Sequence, residues 1–175
     1  MLGVERRFDL DLAVLEKTHR ELSRALHPDR YSQTGASERR AALEKAASVN
    51  EAWRTVRDPI KRAEALFRAY GIKVGEDNEP KATPTFLMEV LEEREALADA
   101  RACKDLAKVH AVGVTMGARA KEVEAKLSAG FKAALDAALP PGEPAAIEKL
   151  VPLLGELRFY KRFLDEVSAI EEENE

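Results

Sequence analysis

One proline divides the N-terminal third of this chain into two helices. Leu12, Leu15, His19, Leu22 and Leu26 recur at alternating steps of three and four, so they share one helix face. Ala42, Ala46, Val49, Trp53 and Val56 repeat the pattern further on. Between the two stripes stands Ala25-Leu26-His27-Pro28-Asp29-Arg30-Tyr31. Pro28 has no backbone N–H, and its ring steers His27 away from helical geometry, so the first helix is expected to end near His27. The two stripes then form a helical hairpin whose tip carries an imidazole, a proline ring and a carboxylate side by side.

Shorter signals set the other boundaries. Asp9 or Asp11 can cap the helix that opens near Leu12. Residues 32–37 read as a polar loop, with Ser37 as N-cap of a helix over 38–57 and Arg40 where a capping box would place Glu. Trp53 reads as a core residue joining the two helices. Asp58-Pro59 closes the second helix and opens a third over 60–70, stopped by Gly71. Residues 71–84 mix Gly, Pro and charge with little periodicity, which marks a boundary. The expected division is therefore one domain over 1–72, a linker over 73–84 and a second domain over 85–175. In the second, helices are expected over 85–102, over 104–139 with loosening at Gly113 and Gly117, and over 145–172 with bends at Pro152 and Gly155. A sharp turn at 140–144 joins the last two. Three helices joined by tight turns make an antiparallel bundle. Ala, Leu, Glu, Lys and Arg dominate and no strand-like alternation persists, so the expected class is all-α.

Several chemistries find little support. The formal net charge is −4, which does not suggest wholesale nucleic-acid binding. A single cysteine, Cys103, allows neither an intramolecular disulfide nor a cysteine-based zinc site, and reads as buried or idle. Charge interrupts every apolar run, so no signal peptide, membrane partner or spanning segment is expected and the cytoplasm is the default location. His27 and Asp29 lack a nearby nucleophile, His19 and His110 are isolated, and no phosphate loop or metal-ligand spacing occurs. Neither enzyme nor cofactor is expected.

Two surfaces stand out. Lys17, Arg20 and Arg24 form a basic ridge at helical spacing, diluted by Glu16 and Glu21; alone, such a ridge is usually a solvated face. In Thr85-Phe86-Leu87-Met88-Glu89-Val90-Leu91-Glu92-Glu93-Arg94-Glu95 there is more apolar surface than one seam needs. At about 100° per residue, Phe86, Val90 and Leu97 share the arc expected to face the core. Met88 lies opposite with Glu92 and Glu95, and Leu87 and Leu91 lie between. An apolar face rimmed by acids is either a docking patch or the seat of a flanking element.

The hairpin, its basic ridge, Asn50-Glu51-Ala52-Trp53 and Arg57-Asp58-Pro59 together resemble a J-domain, the module that docks on DnaK-type chaperones. That resemblance implies His27, Pro28 and Asp29 as the residues that trigger the chaperone's ATPase, with Lys17, Arg20 and Arg24 steering the encounter. Phe86-Leu87-Met88-Glu89 with Leu91-Glu92 and Arg94-Glu95, Asp58-Pro59-Ile60-Lys61-Arg62-Ala63-Glu64-Ala65-Leu66, and Leu157-Arg158-Phe159-Tyr160-Lys161 resemble the HscB (Jac-type) co-chaperones of iron–sulfur cluster assembly. Membership would imply an HscA-like chaperone and an IscU-type scaffold as partners, the scaffold bound through Leu87, Met88, Leu91, Glu92, Glu95 and Phe159. The short aromatic helix that usually precedes the position of Leu2-Gly3 is not in the chain, so the first J-domain helix is expected to be missing. His19 stands where J-domains commonly place an aromatic ring. The cysteine-rich zinc extension of eukaryotic members is absent, which looks bacterial. Two alternatives stay open: a J-domain co-chaperone for another client, and a helical scaffolding protein whose basic helix contacts nucleic acid.

Overall fold

The computed structural model describes residues 3–75, 82–136 and 144–174. Residues 76–81 of the expected linker and most of the expected turn at 140–144 lie outside the described residues. The helices are α1 (Leu12–Ala25), α2 (Ala36–Arg57), α3 (Pro59–Ala69), α4 (Pro84–Ala102), α5 (Leu106–Asp136), α6 (Pro144–Glu148) and α7 (Val151–Glu172), with a 3-10 turn over Pro28–Tyr31 between α1 and α2. No strand occurs among the described residues, so the all-α expectation holds. The chain forms two compact units, Met1–Ala69 and Tyr70–Glu175.

In the first unit, Asp11 caps α1 by accepting the Val14 N–H at 3.0 Å. Leu15 of α1 and Ala42 and Val49 of α2 are buried, with the rest of the two stripes half-buried. His19 lies flat on Trp53, ring centroids 5.3 Å apart and planes 15° from parallel, and its Nε2 is 3.0 Å from Asn50 Oδ1. The imidazole thus stacks on the indole as an aromatic ring would. Asp58 caps α3 by accepting the N–H groups of Ile60 and Lys61 at 2.9 and 3.1 Å, while Pro59 occupies the first helical position, where a missing donor costs nothing. Ahead of α1, Phe8 is buried, and the Arg62 guanidinium sits 4.5 Å from its ring centroid, a cation–π contact that ties residues 3–11 to α3.

One boundary differs. Gly35, not Ser37, is the N-cap of α2, with extended backbone and no side-chain cap bond. Ser37 lies inside the first turn, because helical geometry already begins at Ala36.

The second unit is built on the seam between α5 and α7. Val109, Met116, Val123, Leu127 and Phe131 of α5 meet Leu154, Leu157, Tyr160, Phe163, Val167 and Ile170 of α7, all buried. Their spacing of three, four or seven keeps both stripes facing each other along the whole length. Gly113 does not loosen α5, which is unbroken; a Cβ there would lie 2.9 Å from Val167 Cγ1, so the glycine lets the two helices approach closely. Gly117 faces open space. The expected single last helix is two, α6 and α7. Pro152 has no N–H to donate to the Glu148 carbonyl, so α6 ends there, and the Leu150 N–H turns back to the Ile147 carbonyl at 3.0 Å. At the α4–α5 corner Lys104 adopts φ 53°, and Asp105 caps α5 by accepting the Lys108 N–H at 3.1 Å. That bond and the Lys108 ammonium hold the Asp105 carboxyl below its ordinary range. Cys103 is exposed at this corner rather than buried.

Two of the α5 glycines, Gly113 and Gly117, should respond oppositely. Gly117→Ala removes backbone freedom from the unfolded chain at no steric cost, for a gain of up to about 1 kcal/mol. Gly113→Ala offsets that gain by pushing a stiff β-branched neighbour. Calorimetry should show Gly117→Ala melting a few degrees above wild type and Gly113→Ala at or below it.

Candidate functional site

The first candidate surface is the hairpin tip. α1 stops at Ala25, and the Leu26 N–H closes its last turn on the Leu22 carbonyl at 2.9 Å. His27 is extended and caps the 3-10 turn: its Nδ1 accepts the Asp29 N–H at 3.4 Å, and its carbonyl accepts the Arg30 N–H at 3.0 Å. The same Nδ1 is 3.4 Å from Asp29 Oδ2. A neutral imidazole can accept from the amide, whereas only one with a proton on Nδ1 can donate to the carboxylate. In the first arrangement the proton is on Nε2, a donor available to a visiting acceptor. Tyr31 O–H donates to the Ala25 carbonyl at 3.4 Å, and Ser32 Oγ donates to the Asp29 carbonyl at 2.9 Å, so the turn is laced to itself and to the end of α1. His27, Pro28 and Asp29 are all exposed.

On α1, Lys17, Arg20 and Arg24 are exposed along one flank. Arg20 pairs with Glu16 one turn back, which mutes its charge. Among the described residues Lys17 and Arg24 make no ion pair.

The second surface is the N-terminal half of α4. Thr83 caps this helix by accepting the Phe86 N–H at 3.2 Å, and Pro84 starts it. Its buried residues, Leu97 and Ala100, both lie in the C-terminal half. The N-terminal half is held by one ring. Phe86 meets Phe159 and Tyr160 of α7 edge-on, with centroids 5.5 and 5.8 Å apart. An ion pair adds to it, Arg119 of α5 to Glu93 at 3.0 Å. Leu87, Met88 and Leu91 are left exposed to 54%, 61% and 53%. Glu92 and Glu95 are exposed beside them. Phe159 is half-buried, against Phe86 on one side and 5.7 Å from the Arg94 guanidinium on another. Leu87 and Phe159 line the same groove between α4 and α7, of about 370 Å³. The structure thus brings Phe159 to the α4 face and keeps Met88, Glu92 and Glu95 on the outer side of the helix.

Glu156 also lines that groove. Nothing in the sequence marks it except its place three residues before Phe159, and so on the same side of α7. Burial pushes its carboxyl up from the ordinary range and Glu89 pushes the same way, against a downward pull from Lys126. The neighbouring Tyr160 phenol is likewise raised, by burial first and the Glu156 charge second. Among the described residues no group of three or more side chains is placed to hold a metal ion, and no helix is long and apolar enough to cross a membrane.

The exposed His-Pro-Asp tip and the exposed apolar strip of α4 are the two candidate surfaces. Comparison with known proteins shows the family. Residues 82–168 match the family model described as the HscB C-terminal oligomerisation domain. A co-chaperone HscB homologue of Burkholderia mallei is 35% identical over 145 residues, 83% of this chain and 81% of that protein. One from Ralstonia nicotianae is 41% identical over 106 residues, a stretch spanning 61% of this chain and 60% of the relative's length. Among solved structures, chaperone HscB from Vibrio cholerae superposes with a TM-score of 0.80 at 27% identity, covering 98% of this chain and 95% of that one. Human co-chaperone HscB shares the fold, with a TM-score of 0.83 at 24% identity over 97% of this chain and 79% of its own. The chain belongs to the HscB co-chaperone family.

A carboxyl whose pKa rises on folding weakens the fold once the pH exceeds the ordinary carboxylate range, and costs nothing below it. Glu156→Gln should therefore melt above wild type at neutral pH, and the gap should close as the pH falls below about 4. A pH series of melting curves on the two proteins checks this.

Proposed function

We propose that this protein stimulates the ATPase of a DnaK-type, HscA-like chaperone through its hairpin tip and delivers an IscU-type iron–sulfur scaffold held on the α4 face. One observation carries most weight: Leu87, Met88 and Leu91 form an apolar strip that no other described segment of the chain covers. A strip of that kind rimmed by Glu92 and Glu95 suits a protein partner. At the tip, Lys17 and Arg24 with the partly neutralised Arg20 would draw the hairpin toward an acidic surface, acting mainly on the association rate. His27-Pro28-Asp29 would favour the hydrolysis-competent chaperone, which requires tighter contact with that state than with the resting one. Holding scaffold and chaperone on one chain raises their effective concentration for each other. In this reading the chain hydrolyses nothing itself. The Arg20–Glu16 pair and the net charge of −4 count against a nucleic-acid role for the basic helix.

A second reading has one finding behind it. The matched family model is described as an oligomerisation domain. A second copy of the chain is then the competing occupant of the α4 strip.

The decisive measurement is chaperone ATPase activity with and without scaffold, beside direct scaffold binding. His27→Gln should bring stimulation down to the chaperone's basal rate while scaffold affinity stays within about twofold. Met88→Ala with Leu91→Ala should weaken scaffold binding by roughly 30-fold or more, since two truncated interface anchors lose about 1 kcal/mol or more each. Scaffold-free stimulation should survive in that variant. Wild-type behaviour from both variants would refute the proposal. Loss of self-association alone in the double variant, seen by sedimentation, would favour the second reading.

A further inference from the structure

The α4 strip continues into a groove, and the groove has at its side a carboxylate, Glu156, that no ion pair among the described residues holds. We propose that the groove between α4 and α7 receives a lysine or arginine side chain of the docking protein, with Glu156 as its ion-pair partner. This rests on the reading that the α4 face binds the scaffold, and names the chemistry by which it does so.

The walls are apolar: Phe86, Leu87 and Val90 from α4, Pro152 and Phe159 from α7. At about 370 Å³ the space falls near the lower end of ligand clefts, which run to roughly 300–1,000 Å³. Glu156 lines it, and lines as well the depression on the other side of Phe86, where Glu89, Glu122, Arg119 and Lys126 lie. The cations nearby are mostly spent or misplaced. Arg119 is engaged by Glu93 at 3.0 Å, and Arg94 is 4.0 Å from Glu166. Lys126 attracts the Glu156 charge without forming an ion pair with it, and Glu89 pushes the other way. Arg162 lines the same groove but sits six residues along α7, about 9 Å further on at 1.5 Å per residue. Among the described residues Glu156 makes no hydrogen bond and no ion pair.

That arrangement selects its guest. An apolar side chain pressed into the groove would strip water from Glu156 and leave its charge unpaired. An acidic side chain placed beside Glu156 would meet a like charge. A lysine or arginine fits on both counts, because its methylene stem lies along Phe86, Val90 and Phe159 while its cationic head reaches the carboxylate. The exposed Glu92 and Glu95 extend the same sign of field along α4, so a basic segment is steered to this face before it docks.

Titration of the purified IscU-type scaffold encoded by the same genome into the full chain, at low and at high salt, tests this. Glu156→Gln should weaken binding about tenfold at low salt, the loss expected for one partly desolvated charge pair, and the gap should narrow at high salt. Glu156→Lys should weaken it further. Glu156→Gln must not melt below wild type at neutral pH, which separates lost recognition from lost structure. If both Glu156 variants bind like wild type while Met88→Ala with Leu91→Ala does not bind, the groove assignment is wrong and the face assignment stands. If the double apolar variant binds normally, both fall. Glu156→Lys altering only self-association would assign the groove to a second copy and overturn the inference.

Discussion

The α5–α7 seam is the constraint on which the exposed face of the bundle depends. Two long helices with matched apolar stripes, brought close by Gly113, satisfy each other over nearly their full length. Little buried area is left to offer a third helix. α4 is therefore docked unevenly. Leu97 and Ala100 anchor one half, while the other half is held by Phe86 edge-on to two rings and by a single ion pair. Its apolar residues run all round the helix, which normally signals complete burial. Here Leu87, Met88 and Leu91 stay exposed, a surplus that a partner could use.

The hairpin tip obeys a different logic. A proline soon after a helix end forces a polar turn whose backbone groups must find local partners. His27 and Ser32 supply side chains to Asp29, and Tyr31 reaches back to the helix end. The turn is thereby shaped without burying any of its side chains. A turn of this sort gets its form from short-range hydrogen bonds and leaves its side chains outside.

The range of each interaction decides whether it is legible in the sequence. Leu15, Ala42 and Val49 lie on stripes whose period is visible there, and Pro28 and Asp58-Pro59 act on their immediate neighbours. Both kinds of signal are local and can be read directly. The start of α2 cannot, because a glycine with extended backbone serves where a serine looks better suited. The break before α7 hides in Pro152, whose missing donor acts four residues upstream. Gly113 reads as a weak point in isolation and is a contact point only because Val167 faces it from 54 residues away. The exposure of Met88 and Leu91 is open in the sequence for the same reason, since it depends on what the other helices do. Glu156 gives no sign of its own, because its environment is made by Phe86 and Glu89 on another helix.

Glu156 also shows why a local rule is broken at this place. Arg119 and Glu93, half-buried charges of the same bundle, pair with each other. An unpaired carboxylate beside an apolar groove weakens the free protein, and a glutamine or leucine there would serve the fold better. The mismatch has a use only if something outside the chain completes the pair. By the same reasoning the exposed leucines of α4 are unused apolar area in the free protein, which a complex would bury. Residues that the fold would do better without are therefore concentrated in one place, Leu87, Met88 and Leu91 on α4 and Glu156 across the groove on α7. A surface shaped only by its own stability would have no reason to gather them there.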